Sequence, residues 1–411
     1  MKKIIILGAG TSGTMMANHL SKKLNNKDYE ITIVDQEKKH YYQPGFLFIP
    51  FGIYKPDDVI QEKKHYLPKT VTYINKTIEK VDARENKVIL EGKEELSYDI
   101  LIIATGSQVF PEEVEGMKES LWYKDIFDFY TFEGAVALYN KLKDWEGGKM
   151  LVHISELPYK CPVAPLEFAF LADDFFRKKG IRDKVDITFV TPLDGAFTKP
   201  KATKALHYLL EKKGISEVTN FNIGYVDNEN KKIVDYGGRE VEFDLLVTIP
   251  PNLGSPVIER SGLGDDMNYV PTHKGTLQSL EYENIFVIGD ATNLPASKAG
   301  SVAHFEAEIL TENIIRFIEG KELKDEFDGH ANCFIETGNN KALLIDFNYT
   351  TEPVEGKFPI PVIGPMSLLK ESVLNHWGKM LFKWIYWNML LKGRPIPFVT
   401  PTMSTKGKKL D

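Results

Sequence analysis

The chain has 411 residues, of which 43% are hydrophobic and 27% are charged, and its formal net charge is −7. This composition is typical of a folded protein of two or three domains, and the net negative charge argues against nucleic acid as the main partner. The two cysteines are too few for a disulfide framework. The chain contains no run of about 18 uncharged apolar residues, and the run Ile4–Leu7 is too short for a signal peptide, so we expect a cytoplasmic protein.

The N-terminus has the pattern of a dinucleotide-binding βαβ unit. The apolar strand Ile4–Leu7 enters a glycine-rich turn, a helix follows to about Leu24, and a second strand, Glu30–Val34, ends in an acid. The glycines permit a tight turn and close approach of the backbone to a pyrophosphate, which the helix N-terminus attracts, and the acid can hold a ribose hydroxyl. The residues predicted to bind the nucleotide are Gly8, Gly10, Thr11, Ser12, Gly13, Asp35 and Gln36.

Two later stretches resemble signatures of the two-dinucleotide-binding flavoproteins of the glutathione reductase type. Residues 71–90 alternate like a small antiparallel meander and lead to a buried strand that ends in Ala-Thr-Gly, and Asn284–Asn293 reads NIFVIGDATN. The resemblance implies FAD as the cofactor, with Asp290 on its ribityl chain. The FAD contacts predicted in these stretches are Ile78, Ala104, Thr105, Gly106, Gly289 and Asp290.

An internal repeat indicates two copies of one nucleotide-binding module. Asp82 and Asp99 of the first copy are echoed, at the same spacing, by Asp227 and Asp244 of the second. The predicted fold class is therefore α/β, with two Rossmann-like modules, the second inserted in the first, and a C-terminal amphipathic helical segment. The predicted domains are residues 1–110 with 246–320 for FAD, 111–245 for the second module and 321–411 for the C-terminal domain.

The second module would normally bind NAD(P)H, but its residues predict that it does not. Residues 154–159 stand at the fingerprint position without a glycine, and Thr191 replaces the ribose-binding acid. Cys161 follows this altered turn and precedes a predicted helix, Ala164–Lys179, whose N-terminus would lower the pKa of the thiol. A buried, inert cysteine is the alternative.

The segments Tyr159–Glu167 and Ala331–Glu336, together with the flavin signatures, resemble sulfide:quinone oxidoreductases over essentially the whole chain. The resemblance implies that Cys161 and Cys333 form a redox pair on one face of the flavin. Hydrosulfide would attack their sulfur bridge, the Cys333 thiolate would react with the flavin, and two electrons would pass through FAD to a membrane quinone. A third cysteine present in many family members is missing here, so the chemistry is left to two thiols.

Further residues are predicted for the site, of which Lys298 matches a lysine that members of the family carry. Lys298 would contact FAD and stabilise the reduced flavin, with a solvated loop lysine as the alternative. Glu167 would relay a proton near Cys161, or would merely make its helix soluble. The predicted quinone contacts are Phe334, Pro44 and Tyr386, for each of which core packing is the alternative. No metal site is predicted.

The C-terminal stretch Met366–Lys392 is compatible with a helix and rich in Trp, Tyr, Leu and Met, but lysines interrupt it. It is too apolar for an ordinary surface helix and too charged to span a bilayer, which favours a helix lying in the membrane interface. A dimer interface is the alternative. We therefore expect a protein bound peripherally to the cell membrane, with hydrosulfide and quinone as substrates and a homo-oligomer as an open possibility.

Three other functions compete with sulfide:quinone reduction. A type II NADH:quinone dehydrogenase is disfavoured by the degenerate second fingerprint and by Thr191. The flavoprotein subunit of a sulfide dehydrogenase that donates to a cytochrome is disfavoured by the aromatic, basic tail. A non-catalytic sulfur-carrying or redox-sensing flavoprotein would share the fold. Only replacement of the two cysteines, followed by a measurement of activity, would distinguish it.

Overall fold

Two parallel sheets, each of five strands, form the body of the computed structural model, which describes residues 1–410. In chain order their strands are β1 (Lys2–Leu7), β2 (Tyr29–Val34), β3 (Val71–Ile74), β4 (Ile100–Ile103), β5 (Ile126–Phe127), β6 (Gly148–Ile154), β7 (Val185–Val190), β8 (Ser216–Val218), β9 (Leu245–Ile249) and β10 (Ile285–Val287). The helices are α1 (Thr11–Lys23), α2 (Phe132–Asp144), α3 (Ala164–Lys179), α4 (Pro200–Lys212), α5 (Pro256–Ser261), α6 (Gly300–Ile318) and α7 (Val373–Ile385). The predicted α/β class is confirmed, and α3 has the predicted bounds.

Alternation along β1 explains why its sequence is a continuous apolar run. Ile4 and Ile6 belong to one hydrophobic core, whereas Ile5 and Leu7 belong to another on the opposite face of the sheet. Because successive side chains of a strand point to opposite faces, a strand covered on both sides must be apolar throughout. The first sheet has the order β10-β4-β1-β2-β3, and the second has the order β5-β9-β6-β7-β8.

The two modules repeat each other in detail. The β4-β1-β2-β3 part of the first sheet corresponds to β9-β6-β7-β8 of the second. In the first, the backbone N–H of Lys3 donates to Asp99 Oδ2 at 2.6 Å, and in the second the N–H of Lys149 donates to Asp244 Oδ2 at 2.7 Å. Each module also carries a three-stranded antiparallel meander, formed by residues 78–82, 87–90 and 94–97 and by residues 223–227, 232–235 and 240–242. The aspartates that reveal the repeat thus tie equivalent strand ends.

Two predicted boundaries are wrong. The chain leaves the first sheet after β4 and re-enters it at β10, but β9 pairs with β6 of the second sheet up to Ile249. The predicted domain boundary at residue 246 therefore falls inside a strand, and the boundary belongs after Ile249. Just beyond it, Asn252–Gly254 pairs with Ser107–Val109. The predicted meander also begins too early, because β3 at residues 71–74 pairs in parallel with β2.

The C-terminal region adds two antiparallel hairpins and a helix. Its strands are β11 (Ala331–Gly338), β12 (Lys341–Phe347), β13 (Gly356–Ile360) and β14 (Gly364–Leu368). The helix α7 packs against β11, β12 and β14. The prediction of a helix from Met366 is wrong at its start, because Met366 pairs with Phe358 in the second hairpin and Ser372 caps α7. None of the helices within residues 1–410 combines the length and apolar character needed to cross a bilayer.

Candidate active site

A large cavity lies at the carboxyl ends of β1 and β4, beneath the C-terminal region. The predicted residues that line it are Gly8, Gly10, Thr11, Ser12, Asp35, Pro44, Ala104, Thr105, Gly106, Cys161, Glu167, Asp290, Lys298, Cys333, Phe334 and Tyr386. Side chains that sequence reasoning missed also line it, among them Lys160, Lys379 and Phe382. Residues predicted for the cofactor, the sulfur chemistry and the quinone thus meet in one space.

The first fingerprint turn forms a cradle along one wall of the cavity. A Cβ atom on Gly8, whose φ is +92°, would lie 2.5 Å from the carbonyl oxygen of Ala104, so the turn packs directly on the end of β4. Gly10 instead faces open space, which leaves room for a phosphate group at the N-terminus of α1. The buried hydroxyl of Thr105 lines the cavity and has no hydrogen-bond partner within the described residues. These features fit the dinucleotide of a flavin.

Four predicted cofactor residues do not line the cavity. A Cβ atom on Gly13 would lie 1.8 Å from the carbonyl oxygen of Gly8, so Gly13 serves the close packing of helix on strand. Gly289 packs on Ser12 and supports the wall behind it. Gln36 is exposed, and Ile78 lies in the first meander. Direct contact of Gln36 and Ile78 with the cofactor therefore stays a prediction.

Cys161 is fixed by its backbone. Its N–H donates to the carbonyl oxygen of Lys298 at 2.7 Å, and its own carbonyl oxygen accepts from Ala164 N–H and Tyr130 Oη, both at 3.0 Å. Its φ is +50°, a value that is unfavourable for a residue with a side chain and persists only where surrounding contacts enforce it. Whereas residues 8–10 join β1 to α1 in the first module, residues 155–163 join β6 to α3 and carry this cysteine.

The expected lowering of the thiol pKa is wrong. Burial raises the pKa of Cys161 to about 12, Glu167 adds to this, and Lys379 opposes it. The helix N-terminus does not lower the pKa, because α3 begins three residues later and the partly buried Cys161 packs against the main hydrophobic core. Within the protein alone, Cys161 is therefore a neutral thiol at neutral pH.

Cys333 reaches the cavity from the C-terminal hairpin. It lies on β11 opposite Ile345 of β12 and is buried. Burial raises the pKa of the Cys333 thiol, and Cys161 is the next largest cause. The fold thus brings a cysteine of the second module and a cysteine of the C-terminal region to the same cavity.

A buried ion pair that the sequence did not reveal lies beside the thiols. Lys379 Nζ on α7 lies 2.8 and 3.1 Å from the carboxylate oxygens of Glu167 on α3, and it also donates to the Phe334 carbonyl oxygen at 3.1 Å. Burial raises the pKa of Glu167, and Lys379 opposes this. Burial would lower the pKa of Lys379, but Glu167 and then Cys161 raise it above its ordinary value. Glu167 is fully buried, so the view that it only makes its helix soluble is wrong.

Lys298 braces the loop that follows β10. Its Nζ donates to the carbonyl oxygens of Asp290 at 3.0 Å and Thr292 at 2.6 Å, and it lies 4.1 Å from the centre of the Tyr269 ring. Burial lowers the pKa of Lys298, and Asp290 opposes this. A solvated loop lysine is therefore excluded. The Lys298 side chain holds Asp290 and its backbone holds Cys161, which links the loop after β10 to the loop that carries Cys161.

The three predicted quinone residues line different parts of the wall. Phe334 and Pro44 are half-buried. The Phe334 ring packs against Gly378 of α7, where a Cβ atom added to the glycine would lie 2.8 Å from the ring. Tyr386 is fully buried, and its hydroxyl lies 2.7 Å from Thr11 Oγ1 and 2.6 Å from His40 Nε2. The structure thus places Tyr386 at the fingerprint turn, and its contact with a quinone stays a prediction.

Comparisons with known proteins agree with this geometry. The family model for pyridine nucleotide-disulphide oxidoreductases matches residues 2–151. The mitochondrial sulfide:quinone oxidoreductase of Dictyostelium discoideum is 31% identical over 398 residues, which cover 95% of this chain and 86% of that protein. The chain belongs to the sulfide:quinone oxidoreductase family. The resemblance seen in the sequence is confirmed, and with it an oxidoreductase of a flavin-dependent family.

Two further comparisons concern the fold and the competing functions. The crystal structure of the sulfide:quinone oxidoreductase from Aquifex aeolicus has a TM-score of 0.79 at 22% identity and covers 96% of this chain and 92% of its own. A type II NADH:quinone oxidoreductase from Staphylococcus aureus is 24% identical and covers 87% of this chain and 92% of that protein. The scaffold is therefore shared between the leading hypothesis and its first rival, and the site must decide between them.

Proposed function

We propose that the protein is an FAD-dependent sulfide:quinone oxidoreductase that oxidises hydrosulfide to sulfane sulfur or polysulfide and reduces a membrane quinone. The observation that carries this proposal is that Cys161 and Cys333 line the same cavity as the flavin-binding residues. A type II NADH:quinone dehydrogenase would need a free second fingerprint turn. Here the loop of residues 155–163 occupies that place and carries Cys161, and Thr191 is fully buried.

The cavity wall offers a defined set of contacts for FAD. The glycine turn with Thr11 and Ser12 would hold the pyrophosphate at the N-terminus of α1. Asp35, which accepts from Ala9 N–H at 2.6 Å and pairs with Lys63 Nζ at 2.6 Å, is held in place for a ribose hydroxyl. Asp290 would meet the ribityl chain and is fixed there by Lys298. When bound, the flavin supplies a centre that accepts two electrons from sulfur and gives them to the quinone.

The thiol pair would act on hydrosulfide within the shared cavity. Both cysteines are neutral in the protein alone, so bridging them through sulfur in the resting state avoids the need to ionise either thiol. When hydrosulfide opens such a bridge, the cysteine that leaves becomes a thiolate. Lys379, which lowers the pKa of both thiols, stabilises that charge. Lys160, whose backbone adjoins Cys161 and whose Nζ lies 3.3 Å from Gln43 Oε1, adds a cation at the wall where the anion would enter.

The quinone would lie at the wall formed by the C-terminal region. Phe334 of β11 and Phe382 of α7 present aromatic surfaces to the cavity, and Pro44 contributes from the first module. Lys379 and Glu167 line the same wall, so they can hold a proton for a quinone oxygen. Glu167 accepts from Glu336 N–H at 2.9 Å, which orients its carboxylate toward Lys379.

We further propose that α7 seats the protein on the membrane. Its outward face exposes large apolar side chains, with Trp377 62% exposed, Trp384 57% and Leu381 53%. These positions recur at spacings of four and three residues and therefore form one stripe of the helix. Lys383 remains at the edge of that stripe, 4.3 Å from the Tyr54 ring centre. Such a stripe suits the headgroup boundary of a bilayer, where a water-insoluble quinone would enter.

Replacing Trp377, Leu381 and Trp384 together with serine is expected to lower partitioning to liposomes by more than about tenfold. Each replacement removes apolar surface whose burial in the bilayer contributes on the order of 1 kcal/mol or more to the free energy of binding. Flotation with vesicles that contain anionic lipid measures the bound fraction. Tyr236→Ser is the matched control, since Tyr236 is 84% exposed on the second module. Unchanged binding of the triple variant would exclude α7 as the membrane-seating element.

The proposed activity is tested by anaerobic titration of the flavin spectrum. We expect hydrosulfide to produce a long-wavelength charge-transfer band and flavin bleaching, and decylubiquinone to restore the oxidised spectrum. NADH is expected to leave the flavin oxidised over the same time. Rapid bleaching by NADH with none by hydrosulfide would establish the type II dehydrogenase instead. Reduction by sulfide without reoxidation by quinone would favour a sulfide dehydrogenase subunit that donates to a cytochrome.

A further inference from the structure

A second acid–base pair lies behind the Glu167–Lys379 pair. Both carboxylate oxygens of Glu336 on β11 are 3.0 Å from His376 Nδ1 on α7. Glu336 is buried, with its side chain 3% exposed, whereas the side chain of His376 is 15% exposed. Neither residue lines the cavity. The pair therefore stands between the cavity wall and solvent.

The two pairs are connected through the strand and the helix that carry them. His376 precedes Lys379 by three residues, so both side chains lie on one face of α7, one turn apart. The N–H of Glu336 donates to Glu167 Oε1 at 2.9 Å, and Glu167 in turn binds Lys379 Nζ at 2.8 Å. The backbone of Glu336 thus joins the two pairs, and the charges of Glu167 and Lys379 both influence the pKa of the Glu336 carboxyl.

The charges that face Glu336 tune it for proton exchange near neutral pH. Burial raises the pKa of Glu336 to about 7, His376 opposes this, Glu167 adds to it and Lys379 again opposes it. Tyr54 also faces this group, and burial raises the pKa of its phenol to about 12, so it stays protonated. Glu336 can thus be either charged or neutral near pH 7.

The proposed reaction requires a proton from outside. Hydrosulfide, a quinone and one proton yield sulfane sulfur and the quinol, so the two electrons come from sulfur and the second quinol hydrogen comes from solvent. The cavity wall at Glu167 and Lys379 is buried, and bulk water does not reach the carboxylate of Glu167 directly. A path of titratable groups from the surface is therefore needed.

We propose that Glu336 and His376 form the proton inlet of the quinone site, an inference that rests on the proposed sulfide:quinone activity. His376 takes the proton from solvent and passes it to Glu336. Glu336 restores the proton that the Glu167–Lys379 pair gives to the reduced quinone. Glu336 and His376 act through the inner pair and touch neither quinone nor flavin.

The test separates the two half-reactions in an anaerobic stopped-flow instrument. In Glu336→Gln we expect flavin reduction by hydrosulfide at the wild-type rate and reoxidation by decylubiquinone slowed by about tenfold to a hundredfold. Because the protonated form donates, wild-type reoxidation should slow as pH rises through about 7, and this inflection should vanish in the variant. Infrared spectra should likewise show a protonated carboxyl band that titrates near pH 7 in the wild type and is missing in Glu336→Gln.

Glu217→Gln is the matched control, because Glu217 makes the same kind of contact, 2.7 Å from His207 Nδ1, on the second module away from the cavity. His376→Asn is the second variant, and added imidazole should restore part of its reoxidation rate. If Glu336→Gln loses its flavin, the His376→Asn variant carries the test. Flavin reoxidation that is slow in this variant and is partly restored by imidazole supports the inlet. Wild-type reoxidation with an unchanged pH profile in either variant overturns the inlet alone. A wild-type protein that hydrosulfide does not reduce overturns the proposed function and the inlet together.

Discussion

Replacing either Cys161 or Cys333 with serine is expected to reduce sulfide-dependent flavin reduction by on the order of a thousandfold or more, because each variant removes one half of the proposed sulfur bridge. Serine has nearly the size of cysteine, and neither side chain belongs to the glycine turn or to the Asp290 loop. FAD content should therefore remain at the wild-type level. Stopped-flow absorbance under anaerobic conditions measures the loss, and the flavin spectrum of the purified variants measures cofactor retention.

The two variants should also differ from each other. If the Cys333 thiolate faces the flavin, as the family resemblance implies, Cys161→Ser retains a sulfur that can give a thiolate charge-transfer band with oxidised flavin at alkaline pH, whereas Cys333→Ser loses this band. The opposite assignment would exchange these spectra. Full sulfide-dependent quinone reduction in both variants would contradict the thiol mechanism and leave a flavoprotein whose cysteines serve packing or sensing.

Local patterns predicted the first module well because its chemistry is local. The run Ile4–Leu7, the glycine turn and Asp35 follow each other closely in the chain, and the structure places the turn and Asp35 on one cavity wall. The repeat was predicted for a similar reason, since Asp99 and Asp244 close equivalent strand ends. Short-range geometry fixes such features, so a sequence without a structure reveals them.

The pKa of Cys161 shows where local reasoning failed. A helix N-terminus nearby predicted a lowered value, but side chains from distant segments bury the thiol and raise its pKa. Burial depends on the whole fold, and no pattern within a few residues of Cys161 reports it. Joining Cys161 to Cys333 likewise depended on family resemblance, because β11 returns to the cavity only in the folded chain.

The Glu167–Lys379 pair could not be predicted for a related reason. Its members lie 212 positions apart, and Lys379 resembles Lys383 and Lys392 of the same C-terminal segment. The aromatic character of that segment suggested a wholly interfacial helix. In the structure α7 instead has two faces, one that exposes Trp377 and one that inserts Lys379 into the site.

Lys379→Met is expected to lower the thermal unfolding midpoint by several degrees. Removing one partner of a buried ion pair leaves the other charge uncompensated, which costs about 3–5 kcal/mol. Glu167 is fully buried, and burial already raises its pKa. In the variant it would therefore take up a proton, and this protonation would reduce the destabilisation. The midpoint is measured by differential scanning fluorimetry on flavin-loaded protein across pH 6 to about 9, where the loss should grow with pH because ionised Glu167 then lacks its partner.

The double variant Glu167→Gln/Lys379→Met separates stability from chemistry. A glutamine can still accept the N–H of Glu336, and no charge is left buried, so the unfolding midpoint should return to near the wild-type value. Quinone-dependent flavin reoxidation should nevertheless stay slow, by about a hundredfold, because no acid remains beside the quinone wall. Recovery of both stability and reoxidation would show that the pair only holds α3 against α7. Recovery of stability alone assigns the proton of quinone reduction to these two residues.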